Sequence, residues 1–197
     1  MMTPPRRAVF LDRDGTINQE VNYLSRPEDV RLIPGAGPAI ARLNAAGLAV
    51  VVVSNQSGLA RGYFDDGDLA RVQAELSRQL AAEGARIDAY YVCPHLPPPE
   101  GKVPEFAFEC DCRKPRPGLV LKAASQMNLL LEGSFMVGDR LRDVACGRRA
   151  GLTSILVKSG QDDGAPTSDD ERPHHVAPDL AAAVEWILAR VGEPAGA

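Results

Sequence analysis

Ala8-Val9-Phe10-Leu11-Asp12-Arg13-Asp14-Gly15-Thr16 is the stretch on which the fold turns. Four apolar residues follow one another without alternation, then break off at a carboxylate and a glycine. An unalternated run this short suits a strand buried on both faces, as in a parallel sheet. Working outward, four more runs of the same kind recur: Leu48 to Val53 ending at Ser54, Ile87 to Val92 running into Cys93, Phe135 to Val137 ending at Gly138-Asp139, and Thr153 to Val157. Helical patterns lie between them. Leu69, Val72, Leu76 and Leu80 form one stripe of the segment Asp66 to Glu83, and Leu119, Val120, Ala123, Ala124 and Met127 form another in Gly118 to Met127. Gly47 and Gly151 stand where helices should stop before a strand. The alternation predicts an α/β fold with a mainly parallel sheet flanked by helices.

Two stretches interrupt the rhythm. Residues 93–117 are proline-rich, with Pro97-Pro98-Pro99, and carry three of the four cysteines. Residues 158–178 are polar and read as an exposed connection to a last helix, Asp179 to Arg190, beyond which 192–197 should fray. A length of 197 residues with 45% hydrophobic content fits one domain, 1–197, with a real core, and excludes a disordered chain. The net charge of −4 argues against nucleic acid as a partner. No run approaches the roughly 18–20 apolar residues of a membrane span, and MMTPPRR lacks the apolar stretch of a signal peptide. A cytoplasmic location with reduced cysteines and no membrane partner is therefore expected.

Ligands of open α/β sheets gather at the carboxyl ends of the strands. There the sequence puts Asp12 and Asp14 after the first strand, Ser54 after the second, Cys93 after the third, and Asp139 with Asp143 after the fourth. One such Asp could simply start a turn or cap a helix. Convergence of three strand ends points to an enzyme.

Asp12-Arg13-Asp14-Gly15-Thr16, Ser54, Lys114 before a helix, and Gly138-Asp139 followed by Asp143 resemble, in that order, the motifs of the haloacid dehalogenase superfamily of phosphotransferases. The resemblance runs from Ala8 to about Lys158 and implies a Rossmann-like domain. It makes Asp12 the nucleophile that forms an aspartyl-phosphate and Asp14 the general acid, then base. Four carboxylates would repel a phosphate dianion unless a hard cation offset them, and Mg²⁺ suits oxygen ligands. By resemblance, Asp12 and Asp139 bind it by side chain and Asp14 by its carbonyl, while Asp143 acts through water or orients Lys114. Ser54 would hold the transferring oxygens and Lys114 would balance their charge.

Cys93-Pro94-His95 and Cys110-Asp111-Cys112 give C-x-H-x14-C-x-C, three thiolates and an imidazole. That is a full tetrahedral set for a structural Zn²⁺, which would cross-link a loop poor in apolar residues. The alternative is a set of unligated loop side chains. Cys146, on the helix after Asp143, reads as a small core residue.

Together with SNQSG at 54–58, CDCRKPRPG at 110–118 and VGDRLRD at 137–143, these motifs resemble the D-glycero-D-manno-heptose 1,7-bisphosphate 7-phosphatases and the related histidinol-phosphate phosphatases. That family carries a zinc loop where larger relatives have a cap domain, and this chain has no cap-sized insertion. The resemblance implies substrate contacts from Glu20, Val21, Asn22, Tyr23, Ser54, Asn55, Gln56, Ser57, Arg113, Lys114 and Arg140. Two departures are visible: Leu96 follows His95 where relatives often have His, and Arg140 stands where Lys is common. Arg61 reads equally as an exposed loop residue, His174-His175 as a solvated turn, and Trp186 as a core contact of the last helix.

The expected activity is Mg²⁺-dependent removal of the 7-phosphate from the heptose bisphosphate, a small phosphorylated sugar, by a monomer. Histidinol phosphate is the competing substrate. A zinc-stabilised binding module without catalysis is the reading from another class, disfavoured by the acidic balance and the intact Asp12, Asp14, Lys114 and Asp139.

Overall fold

A computed structural model describes residues 4–161 and 163–191; the tail expected to fray lies outside them. Strand β1 (Arg6–Leu11) leads to helix α1 (Ala36–Ala45), then β2 (Ala49–Asn55), the one-turn α2 (Gly58–Arg61) and α3 (Asp66–Ala82). They are followed by β3 (Ala89–Cys93), α4 (Gly118–Met127), β4 (Leu129–Gly138), α5 (Leu141–Arg149), β5 (Thr153–Val157), β6 (His175–Ala177) and α6 (Leu180–Val191). All strand pairs are parallel, in the order β3-β2-β1-β4-β5-β6. Chain order reverses at β1, so the crevice at the ends of β1, β2 and β4 is the switch point where such sheets bind ligands.

The unalternated runs have the expected cause. Along β1, Val9 and Leu11 pack into one core with α1, α3 and α6, while Ala8 and Phe10 face the other with α4. Both faces of the strand are covered, so neither face can be polar. Helix α3 begins where Asp65 Oδ1 accepts from the Asp68 amide at 2.8 Å and Asp68 Oδ2 accepts from the Asp65 amide at 3.0 Å.

Three boundaries differ from expectation. β3 starts at Ala89 rather than Ile87, because the Asp88 carboxylate takes the Val50 amide at 2.8 Å and so caps the sheet there. β4 reaches back to Leu129 through a bulge that carries Gly133 at φ 71°; across it Ser134 Oγ accepts the Ala8 amide at 2.8 Å. Charged and glycine residues hid that half of the strand.

The third difference is larger. The segment expected to be an exposed connection contributes edge strand β6, and His174-His175 is no solvated turn. His174 exchanges backbone and ring contacts with Ser154, and His175 stacks on Trp186 with ring centroids 4.6 Å apart. A three-residue parallel edge strand is too short to leave a periodic signal. No helix of the described residues is long and apolar enough to cross a membrane.

Candidate active site and metal centres

Asp12 follows β1 directly, and its amide donates to Val137 of β4 at 2.9 Å. Asp12 as a whole is 5% exposed. Lys114 Nζ reaches Asp12 Oδ1 and Asp143 Oδ1, each at 2.8 Å, and donates to the Val53 carbonyl at 2.7 Å. Asn55 sets the lysine's backbone, taking its amide and donating to its carbonyl, both at 3.0 Å. Burial alone would lower the Lys114 pKa, but the two carboxylates override it and keep the ammonium charged.

The carboxylates are less comfortable. Burial pushes Asp12 up in spite of Lys114. Asp139 is pushed up to about 7 by burial and by the charges of Asp12 and Asp143. Ligand oxygens of Asp12, Asp139 and Asp143 lie within 4.8 Å of one another, and Asp139 Oδ1 is buried with no hydrogen-bond partner. An orphaned acceptor among crowded carboxylates fits a hard divalent cation, which would supply the missing positive charge.

Asp14 lies differently. Its carboxylate receives Arg13 at 2.7 Å, Asn18 Nδ2 at 2.9 Å and Gln56 Nε2 at 2.9 Å. Burial would raise its pKa, yet these donors hold it below the usual carboxylate range. In this arrangement it is held ionised and is a weak base; to take up or deliver a proton it must first be released from Arg13. Gln56 Nε2 also donates to Ser54 Oγ at 2.8 Å, which ties the β2 loop to the β1 loop.

A strap after β5 closes over this centre. Ser159 Oγ donates to the Gly15 carbonyl at 2.8 Å, and the Gln161 amide donates to Asp139 Oδ2 at 2.9 Å. A Cβ at Gly160 would sit 2.0 Å from Asp139 Oδ2, and one at Gly15, whose φ is +77°, would sit 2.4 Å away. Gly160→Ala must therefore push Asp139 aside, an overpacking cost of about 1–3 kcal/mol. We expect Mg²⁺ affinity, followed by calorimetric titration, to weaken about tenfold or more. Unchanged affinity would remove the strap from the account of Asp139.

A cleft of about 270 Å³ opens above these groups. Glu20, Val21, Asn22, Tyr23, Ser54, Asn55, Gln56, Ser57, Arg113 and Arg140 all line it, so the structure brings the sequence-derived contacts together. Lys114 is buried beneath them. Tyr23 takes a left-handed backbone, φ 56°, uncommon for a bulky residue and suggestive of constraint at a site. Sequence reasoning missed Arg142 and Gln161 and undervalued Arg61, all of which line the cleft. Arg142 occupies an unspecified position of G-D-x-x-x-D; Gln161 had no local signal, since its place depends on the strap folding back.

The second cluster is Cys93, His95, Cys110 and Cys112, whose ligand atoms lie within 4.8 Å of one another. Sulfur separations are 3.6 Å for Cys93–Cys110 and 3.3 Å for Cys110–Cys112, and His95 Nδ1 lies 3.2 Å from Cys112 and 3.7 Å from Cys93. Tetrahedral Zn–S bonds imply edges of about 3.8 Å, so the donor set is close to the size the ion needs. Burial and neighbouring thiols push Cys93 up, a penalty that a bound dication would reverse. Cys146 is buried in the core as expected.

A parallel α/β sheet with a buried Asp at its switch point, a buried Lys paired to it and a carboxylate trio defines a haloacid dehalogenase-type hydrolase. The HAD-hydrolase-like family model matches residues 111–183. A D-glycero-D-manno-heptose-1,7-bisphosphate 7-phosphatase of Thermosynechococcus vestitus is 46% identical over 188 residues, covering 93% of this chain and 96% of that protein. The enzyme of Escherichia coli K12 is 36% identical, covering 92% and 87%. The crystal structure of the D,D-heptose 1,7-bisphosphate phosphatase of B. bronchiseptica, complexed with magnesium and phosphate, superposes with a TM-score of 0.80 at 36% identity, covering 93% of this chain and 99% of that one. A putative HAD-like phosphatase of Mesorhizobium loti gives 0.83 at 35% identity, covering 99% and 91%. This chain belongs to the D-glycero-D-manno-heptose-1,7-bisphosphate 7-phosphatase family.

Proposed function

We infer that the chain hydrolyses the 7-phosphate of D-glycero-D-manno-heptose 1,7-bisphosphate. The observation that carries this is the cleft itself: its floor holds Asp12 beside Lys114, and its walls present the guanidiniums of Arg61, Arg113 and Arg142. A cationic wall suits a bisphosphate and repels the ammonium of histidinol phosphate.

In the first half-reaction the Asp12 carboxylate attacks phosphorus, a P–O bond to Asp12 forms, and the ester P–O bond breaks. The departing sugar oxygen takes the proton of Asp14. In the second, water attacks the aspartyl-phosphate, Asp14 accepts the water's proton, and the P–O bond to Asp12 breaks to release phosphate. Lys114 holds Asp12 in place and offsets charge on the transferring group; Ser54 donates to its oxygens. Asp12, Asp139 and the carbonyl of Asp14 would hold Mg²⁺, which when bound neutralises charge between carboxylates and phosphate. Cys93, His95, Cys110 and Cys112 would hold a structural Zn²⁺. The chain supplies all of these groups itself, so a monomer suffices for the reaction.

Side-by-side measurement of kcat/KM tests the substrate. We expect the heptose bisphosphate to exceed histidinol phosphate by about 100-fold or more, since an ammonium in place of a phosphate leaves several guanidiniums without an anion. A preference for histidinol phosphate would overturn the assignment.

A further inference from the structure

We propose that Arg142 and Arg61 hold the phosphate of the substrate that is not transferred, and that Arg140 is a structural member of the strap. The proposal rests on the bisphosphate reading above and departs from what resemblance implies for Arg140. Four guanidiniums line one cleft, and the structure separates them by their commitments.

Arg140 is already engaged. Its Nε donates to Asp163 Oδ1 at 2.6 Å and another of its nitrogens donates to Gln161 Oε1. Asp163 is fixed in turn by the Leu141 amide, 2.8 Å from its other oxygen. A guanidinium neutralised by a carboxylate and held by two partners has little charge and few N–H groups left for substrate. Arg113 is partly engaged, donating to the His95 carbonyl at 3.2 Å.

Arg61 and Arg142 are not engaged in this way. The Nε of each is buried without a hydrogen-bond partner, and neither forms an ion pair among the described residues. Arg61 lies 5.8 Å from the centroid of the Tyr23 ring, and that ring is braced by Tyr63 at 4.7 Å. An aromatic face steadies a guanidinium but leaves its charge whole. Arg142 is within electrostatic reach of Arg113, and Arg61 of Arg113 as well. Of the acidic groups near Arg142, Asp12 and Glu20 line the same cleft, and Asp163 belongs to Arg140. Buried donors without partners are costly, and three like charges gathered round one opening call for an anion.

The geometry places the pair well for this. Arg61 ends α2, which follows β2, and Arg142 lies in the first turn of α5, which follows β4. β2 and β4 flank β1, so the two side chains approach the Asp12 cleft from its two sides. A sugar whose one phosphate sits over Asp12 would carry its other phosphate up between them, where two planar forks can each pair with its oxygens.

The test is the ratio of kcat/KM for heptose 1,7-bisphosphate to that for heptose 7-phosphate, measured for wild type, Arg142→Gln, Arg61→Gln, Arg142→Lys and Arg140→Gln. Melting curves identify any variant that fails to fold, and Arg142→Lys keeps the charge while losing the fork. Wild type should favour the bisphosphate; a ratio near one overturns the bisphosphate reading itself. Given that preference, Arg142→Gln and Arg61→Gln should each lower the ratio about tenfold or more, chiefly through KM, Arg142→Lys should lower it less, and Arg140→Gln should move it least. A retained preference in both glutamine variants, or a collapse greatest in Arg140→Gln, overturns the present proposal and leaves the bisphosphate reading standing.

Discussion

Asp12→Asn is expected to lower kcat by at least about 10⁴-fold, since the carboxylate that attacks phosphorus is replaced by an uncharged amide too weakly nucleophilic to form the covalent bond. The size of the effect follows from the site. No other carboxylate can substitute: Asp14 is tied to Arg13, Asn18 and Gln56, Asp143 is spent on Lys114, and Asp139 lies under the strap. Folding should survive. Asn has the same shape, Lys114 keeps Asp143 as its partner, and one charge leaves a crowded buried set. Phosphate release in single and multiple turnover, with a melting curve, checks both halves. Turnover within about tenfold of wild type in a folded variant would show that Asp12 is not the nucleophile.

Cys110→Ser should act on stability before chemistry. The Cys110 sulfur stands within 3.6 Å of Cys93 and 3.3 Å of Cys112, so it is a corner of the cluster rather than a peripheral thiol. The loop it closes has little apolar content, and its proline run cannot supply regular hydrogen bonding. Losing one ligand of a structural zinc should therefore cost about 3 kcal/mol or more and release the metal to a chelator. Elemental analysis after dialysis, alongside denaturant unfolding, measures both. Because Arg113 and Lys114 follow Cys112 directly and Arg113 donates to the His95 carbonyl, KM should rise with metal loss, by far less than the Asp12 effect. A variant with full stability and unchanged zinc content would count against the structural-metal reading.

Much of the architecture was legible because buried parallel strands cannot hide. Ala8 to Leu11, Leu48 to Val53 and Ile155 to Val157 are apolar on both faces, and each ends at or near a strand boundary in the structure. The carboxylates of the candidate site were legible for a related reason: they stand at strand ends, within a few residues of those runs. Where pairing was polar or interrupted, the signal failed. Asp88 shortened β3, Gly133 and Glu132 disguised half of β4, and β6 was too brief to show.

The placing of Asp12, Asp14 and Asp139 after strands, the four metal-type ligands on the proline loop, and the parallel sheet could be read from types and spacings along the chain, while Lys114 stood out only through the resemblance of the motif order. What could not be read were the side chains whose meaning comes from distant neighbours. Arg61, Arg140 and Arg142 are alike on paper as cations near known motifs. They become different only when the segment after β5 folds back, so that Asp163 and Gln161 take up Arg140 and leave Arg61 and Arg142 facing the cleft. Local order sets which groups are present, while long-range packing determines which of them still have charge and hydrogen bonds to offer a substrate.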